Sequence, residues 1–163
     1  MFTLKRIALD SVPRALEKAE RYRLLNEPRL AESICQDIIA VDPNNQQAIT
    51  MLLLSITDQI VLSAQNDARA RTLLPRLEGA YEKAYYSGII AERRGKSALD
   101  SSFPNARFLA YEYLRDAMED YERALTIMPE YDDPVLRWNT CVRLIEANNL
   151  HALQENKQEP QLE

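Results

Sequence analysis

Glycine is almost missing from this chain, with three in 163 residues, at Gly79, Gly88 and Gly95, where average usage would supply about eleven. Tight β-turns and phosphate-cradling loops rely on glycine, because it alone adopts left-handed backbone or admits a close ligand without steric cost. A β-sandwich and a glycine-rich nucleotide fold are therefore excluded. Alanine, leucine, glutamate, lysine and arginine dominate instead, and these lose least on entering a helix. With 46% hydrophobic residues the chain has the means to bury a core rather than stay disordered, and its length fits one domain. The expected class is all-α, with about seven helices.

Charge and reactive residues narrow the function. A net charge of −5 opposes broad adhesion to nucleic acid, whose affinity comes mainly from phosphate neutralisation. No apolar run approaches the 18 residues that a bilayer span needs, and the opening Met1-Phe2-Thr3-Leu4-Lys5-Arg6 lacks a signal-peptide core. The expectation is a soluble, cytoplasmic protein with neither membrane nor nucleic acid as partner. Cys35 and Cys141 stand far apart in helical segments, with no CxxC and no nearby histidine, so they read as small buried apolar residues. His151 sits in a polar tail. Neither a metal nor a cofactor is expected.

Apolar spacing sets out the helices. Ser11-Val12-Pro13 opens the first, which runs to about Leu25 with Leu16, Ala19 and Leu24 in its stripe. Asn26-Glu27-Pro28 turns the chain into a second, with Ala31, Ile34, Cys35 and Ile38, which ends at Asp42-Pro43. A third from Gln46 is apolar around most of its circumference and should lie between neighbours. The stretch from Ser63 to Thr72 is polar and reads as a loop, with Pro75 in the first turn of a fourth helix to Ser87. Ile89, Ile90, Ala91, Ala98 and Leu99 make a fifth, separate or continuous because Gly88 and Gly95 weaken a helix without always breaking it. Asp100-Ser101-Ser102-Phe103-Pro104 breaks the chain before a long sixth helix, and Asp132-Asp133-Pro134 opens a seventh. Residues 148–163 read as a polar, flexible tail.

The second and sixth helices repeat one another at a constant offset of 86. Ala31, Cys35, Ile38 and Pro43 align with Ala117, Tyr121, Ala124 and Pro129, and Leu77, Tyr81 and Ala84 form a partial third copy. This small–large–small–proline pattern resembles the second helix of tetratricopeptide repeats, and Tyr22 and Gly95 resemble first-helix positions of that family. The resemblance implies a right-handed α-solenoid of stacked hairpins over residues 1–147: about 12–43, 46–88 and 89–129, closed by a capping helix at 133–147. The copies fall 46 and 40 residues apart (Ala31 to Leu77 to Ala117) rather than about 34. The chain thus resembles a divergent, bacterial-type member with enlarged second and third repeats.

The family resemblance also implies a role: a non-enzymatic adaptor that takes a peptide or helix of another protein in its concave groove or on its inserted loops. First-helix positions would place Leu16, Glu20, Arg23, Thr50, Leu54, Asp58, Glu92, Lys96, Leu136, Thr140 and Arg143 in that groove. Only Lys96 could serve a clamp for a terminal carboxylate, so that specialised form is disfavoured. A three-repeat secretion chaperone is a narrower version of the same reading, with the enlarged units against it.

Two local clusters stand apart from the repeat. Tyr81, Tyr85 and Tyr86 precede Arg93, Arg94 and Lys96, and if brought together could hold an acidic segment or phosphate. The plainer reading makes the tyrosines core fillers and places the arginines on a solvated face, with a Glu92–Lys96 ion pair; Trp138 likewise reads as packing between the last two helices. Asp116, Glu119 and Asp120 form the densest acidic patch, the one basis for a carboxylate-dependent enzyme. No Glu-x-x-His motif accompanies them, as a di-iron bundle would need, so no enzyme is expected.

Overall fold

The computed structural model describes residues 1–62 and 65–153, and among these it contains seven α-helices and no strand. They are α1 (Val12–Leu24), α2 (Pro28–Val41), α3 (Gln46–Thr57), α4 (Gln65–Arg71), α5 (Ala80–Leu99), α6 (Ala106–Ile127) and α7 (Asp133–Ala147). Prolines open α1, α2 and α7 within their first turns, where the fixed φ suits a helix and the missing N–H has no partner to lose. Ser11 and Asp132 hold the capping positions before α1 and α7, but neither side chain makes a capping bond. Asn45 does cap α3, accepting the Ala48 N–H at 2.9 Å.

Asparagine performs the backbone task that glycine usually performs. Asn26 and Asn149 adopt φ of 60° and 47° just beyond α1 and α7. In each case the next N–H turns back to the helix, Glu27 to the Tyr22 carbonyl at 2.8 Å and Leu150 to the Ile145 carbonyl at 3.0 Å. This closure satisfies carbonyls that a helix end leaves open.

The internal repeat is visible as equal burial and equal termination. Ala31 and Ala117, Cys35 and Tyr121, and Ile38 and Ala124 are all fully buried. The residue before each proline has nearly the same backbone, φ −136° and ψ 79° at Asp42 against φ −130° and ψ 78° at Met128. Proline disfavours helical geometry in its predecessor, so each helix ends two residues before its proline, at Val41 and at Ile127.

Between residues 63 and 104 the helices differ from the sequence expectation. Gln65–Arg71 is helical where a loop was expected, because long-range polar contacts hold it down. Asn66 donates to the Gln59 carbonyl at 2.8 Å, Arg69 bonds Asn66 at 2.9 Å and pairs with Glu32, and Ala70 is buried. Pro75 lies in a short 3₁₀ turn, Leu74–Arg76, rather than in a helix. The helix after it begins only at Ala80 and runs unbroken through both Gly88 and Gly95 to Leu99, so the position 88/89 falls inside a helix.

Those two glycines lie where α5 meets α6 in the largest interface of the molecule. A Cβ on Gly88 would sit 2.5 Å from Cε1 of Tyr121, and one on Gly95 would sit 2.9 Å from Cγ of Leu114. Helix α3 is buried on most sides, as expected, touching α2 and α4 closely and α1 and α5 more lightly. The core falls into a larger cluster around Ile49, Leu53, Leu73 and Leu77, a second around Leu114, Ala117, Tyr121 and Cys141, and a small one of Val12, Ile38 and Ala48. Beyond α7 the chain is tied down further than a polar tail would be. Leu150 is buried, and Arg107 donates to the carbonyls of Asn148 and Asn149. His151 is exposed, and residues 154–163 lie outside the described residues.

Candidate functional site

An open groove of about 730 Å³ runs between the N-terminal halves of α1 and α3. Val12, Leu16, Met51 and Tyr86 give it an apolar lining, Asn45, Gln46, Gln47 and Thr50 line it with polar groups, and Glu17 and Glu20 are exposed at it. The groove exists because helical spacing lays Val12, Leu16 and Glu20 on one stripe of α1, facing the stripe of Gln46, Gln47, Thr50 and Met51 on α3. Gln46 fixes one end, donating to the Arg76 carbonyl at 3.1 Å and accepting the Glu78 N–H at 3.0 Å. Burial, first of all, and then the neighbouring Tyr85 hydroxyl raise the pKa of Tyr86, so the ring enters the groove as a neutral phenol.

Arg23, Asp58, Glu92 and Lys96 make ion pairs within the chain. Asp58, the residue that follows α3, accepts from Arg23 of α1 at 2.6 Å and also pairs with Arg93 of α5. Glu92 of α5 is fully buried and accepts from three side chains: the Tyr121 hydroxyl at 2.7 Å, Lys96 at 2.5 Å and Arg137 of α7 at 3.2 Å. Burial alone would raise the Glu92 pKa, but the hydrogen bonds from Lys96 and Tyr121 and the charges of Lys96 and Arg137 outweigh it, and the net shift is downward. Asp58 and Glu92 thus join α1, α3, α5 and α7 through charge.

Of the residues singled out in the sequence, Leu16, Glu20, Thr50 and Tyr86 come together in the groove. Arg23, Asp58, Arg93, Glu92 and Lys96 go to the ion pairs instead, and Leu54 packs against the second core cluster. Leu136 and Arg143 are exposed on α7, apart from the groove lining, and the Thr140 hydroxyl donates to the Leu136 carbonyl at 3.0 Å. The tyrosines and arginines take different partners. Twelve residues of helix separate Tyr81 from Arg93, roughly 18 Å; Tyr81 stacks on Tyr85 with centroids 5.7 Å apart and meets Tyr131 edge-on at 4.9 Å, whereas Arg94 lies over Tyr113 at 5.6 Å. The Glu92–Lys96 pair forms as expected, but Glu92 lies inside the molecule, not on a solvated face.

Two further expectations have a structural counterpart. Cys35 and Cys141 are free and buried, and burial pushes both thiols up to about 12. Asp116, Glu119 and Asp120 line a second groove of about 590 Å³ together with Arg71 and Arg123, and Arg123 pairs with Asp120. Burial, then the charges of Glu119 and Asp120, raise the Asp116 pKa. Among the described residues no group of three histidine, cysteine or carboxylate side chains could hold a metal ion, and no helix is long and apolar enough to cross a membrane.

No protein-family model, no curated protein and no solved structure matches this chain. Sequence reasoning missed Met51 and Glu17, although both follow from the face that Leu16, Glu20 and Thr50 define. It also missed Arg137 and Tyr121 as partners of Glu92, for which residues 45 and 29 positions away leave no local signal.

Proposed function

We propose that this chain is a non-enzymatic helical-repeat module, of the tetratricopeptide-like kind, that holds a segment of another protein in the groove between α1 and α3. One observation carries the reading. Leu16, Glu20 and Thr50, placed in a groove by the family resemblance, gather with Tyr86 around one open groove, while Arg23, Asp58, Glu92 and Lys96 are engaged in ion pairs. A groove with an apolar lining, polar side chains and exposed carboxylates suits a peptide with an apolar anchor, since buried apolar area supplies affinity and charge at the rim supplies selectivity.

Photocrosslinking tests the site directly. A benzoylphenylalanine placed at Glu20 should trap a partner from extract of the source cells, and one placed at the exposed Arg143 should not. Equal capture at both positions, or capture at Arg143 only, would refute the assignment. Thr50→Arg, which fills the groove, should abolish capture at Glu20 while leaving the helical circular dichroism signal unchanged.

A further inference from the structure

The segment before α1 is only half packed. Ile7 rests on the small core cluster of Val12, Ile38 and Ala48, and the Arg6 guanidinium donates to the Ala40 carbonyl at 2.7 Å. Ahead of this anchor Met1, Phe2 and Leu4 expose essentially their whole side chains. In an extended chain Phe2 and Leu4 fall on one side about 7 Å apart, with Lys5 on the other. Residues 1–9 carry Lys5 and Arg6 but no acid.

The groove is complementary on both counts. Leu16, Met51 and Tyr86 offer apolar surface, Glu17 and Glu20 offer negative charge, and neither lysine nor arginine lines it. Its lining includes Val12, the first residue of α1, while Arg6 and Ile7 hold the same copy's segment on Ala40 and on the small core cluster, with Met1, Phe2 and Leu4 left exposed beyond it. A second copy can offer those exposed residues with both contacts kept. We propose that the groove is filled by Phe2–Lys5 of a second copy, with Phe2 and Leu4 against its apolar lining and Lys5 beside Glu17 and Glu20, the exchange being reciprocal and giving a two-fold dimer. This rests on the reading of the groove as a peptide site, and it makes self-association the occupant that any outside partner must displace.

Sedimentation velocity on the full chain tests it. The wild-type protein should dimerise as concentration rises from the low micromolar range, and a Phe2→Ser, Leu4→Ser double variant should stay monomeric with unchanged helicity. Glu20→Lys should weaken the dimer about tenfold or more, and adding Lys5→Glu to it should restore association, since reversing both charges recovers the attraction. A wild-type chain that remains monomeric, or a dimer that survives the Phe2→Ser, Leu4→Ser change, would overturn the proposal. Crosslinking through position 20 separates this failure from failure of the groove itself. A monomeric chain that still traps a foreign protein there retains its peptide site and loses only the exchange, whereas one that traps nothing loses both.

Discussion

Tyr121→Phe isolates one bond of the buried network. The ring stays, so packing against Gly88 persists, and only the hydroxyl that donates to Glu92 at 2.7 Å is removed. A hydrogen bond to a charged group is worth about 1.5–3 kcal/mol. Glu92 keeps Lys96 and Arg137 as partners, so the carboxylate is not orphaned and the cost should fall near 2 kcal/mol. For a chain of this length each kcal/mol moves Tm by roughly 2–4 °C, which gives a drop of about 4–8 °C in thermal unfolding followed by circular dichroism. A double-mutant cycle with Glu92→Gln should then show a coupling above about 1 kcal/mol, as expected for direct contacts. A loss under about 0.5 kcal/mol, or additive effects of the two changes, would refute the view that this hydroxyl stabilises the buried carboxylate.

Three other outcomes follow from the same structure. Because the folded pKa of Glu92 lies below its ordinary 4.5, its contribution should be complete above that value and lost as pH falls through the lower folded value; urea midpoints should decline there, and less in Glu92→Gln. Gly88→Ala should destabilise despite the gain of about 1 kcal/mol in helix propensity, because the new methyl meets the Tyr121 ring at 2.5 Å and overpacking costs about 1–3 kcal/mol; urea unfolding measures the balance. Both thiols, pushed up to about 12 by burial, should resist Ellman's reagent at pH 8 in the folded protein and react promptly in denaturant.

How much of this was legible in the sequence depends on the range of the interaction. The α2 and α6 repeat was legible because Ala31, Cys35, Ile38 and Pro43 and their counterparts act through local spacing and burial. Helix α4 was not, since its polar residues are held by Glu32 and Gln59 from other elements, and no local pattern distinguishes such a segment from a loop. The continuity of α5 turned on what stood opposite its glycines, Tyr121 and Leu114, which are supplied by another helix. The groove was partly legible for the same reason as the repeat: one helical face implies its neighbours at i+3 and i+4. The pairing of Asp58 with Arg93 belongs to tertiary structure alone.

The α5–α6 hairpin joins two long helices through a connection of only six residues, 100–105, so its many contacts close at little loss of chain entropy. The N-terminal helices reach it mainly through α3, α4 and the short turns Ile60–Leu62 and Leu74–Arg76. That asymmetry sets an order of events in time. Contacts close in sequence form early, so α5 and α6 should assemble first and open last, with amide protons at Ile90, Ala117 and Ala124 exchanging most slowly. Helix α1 and the segment ahead of it, docked at the far end, should open by themselves many times for each complete unfolding of the chain.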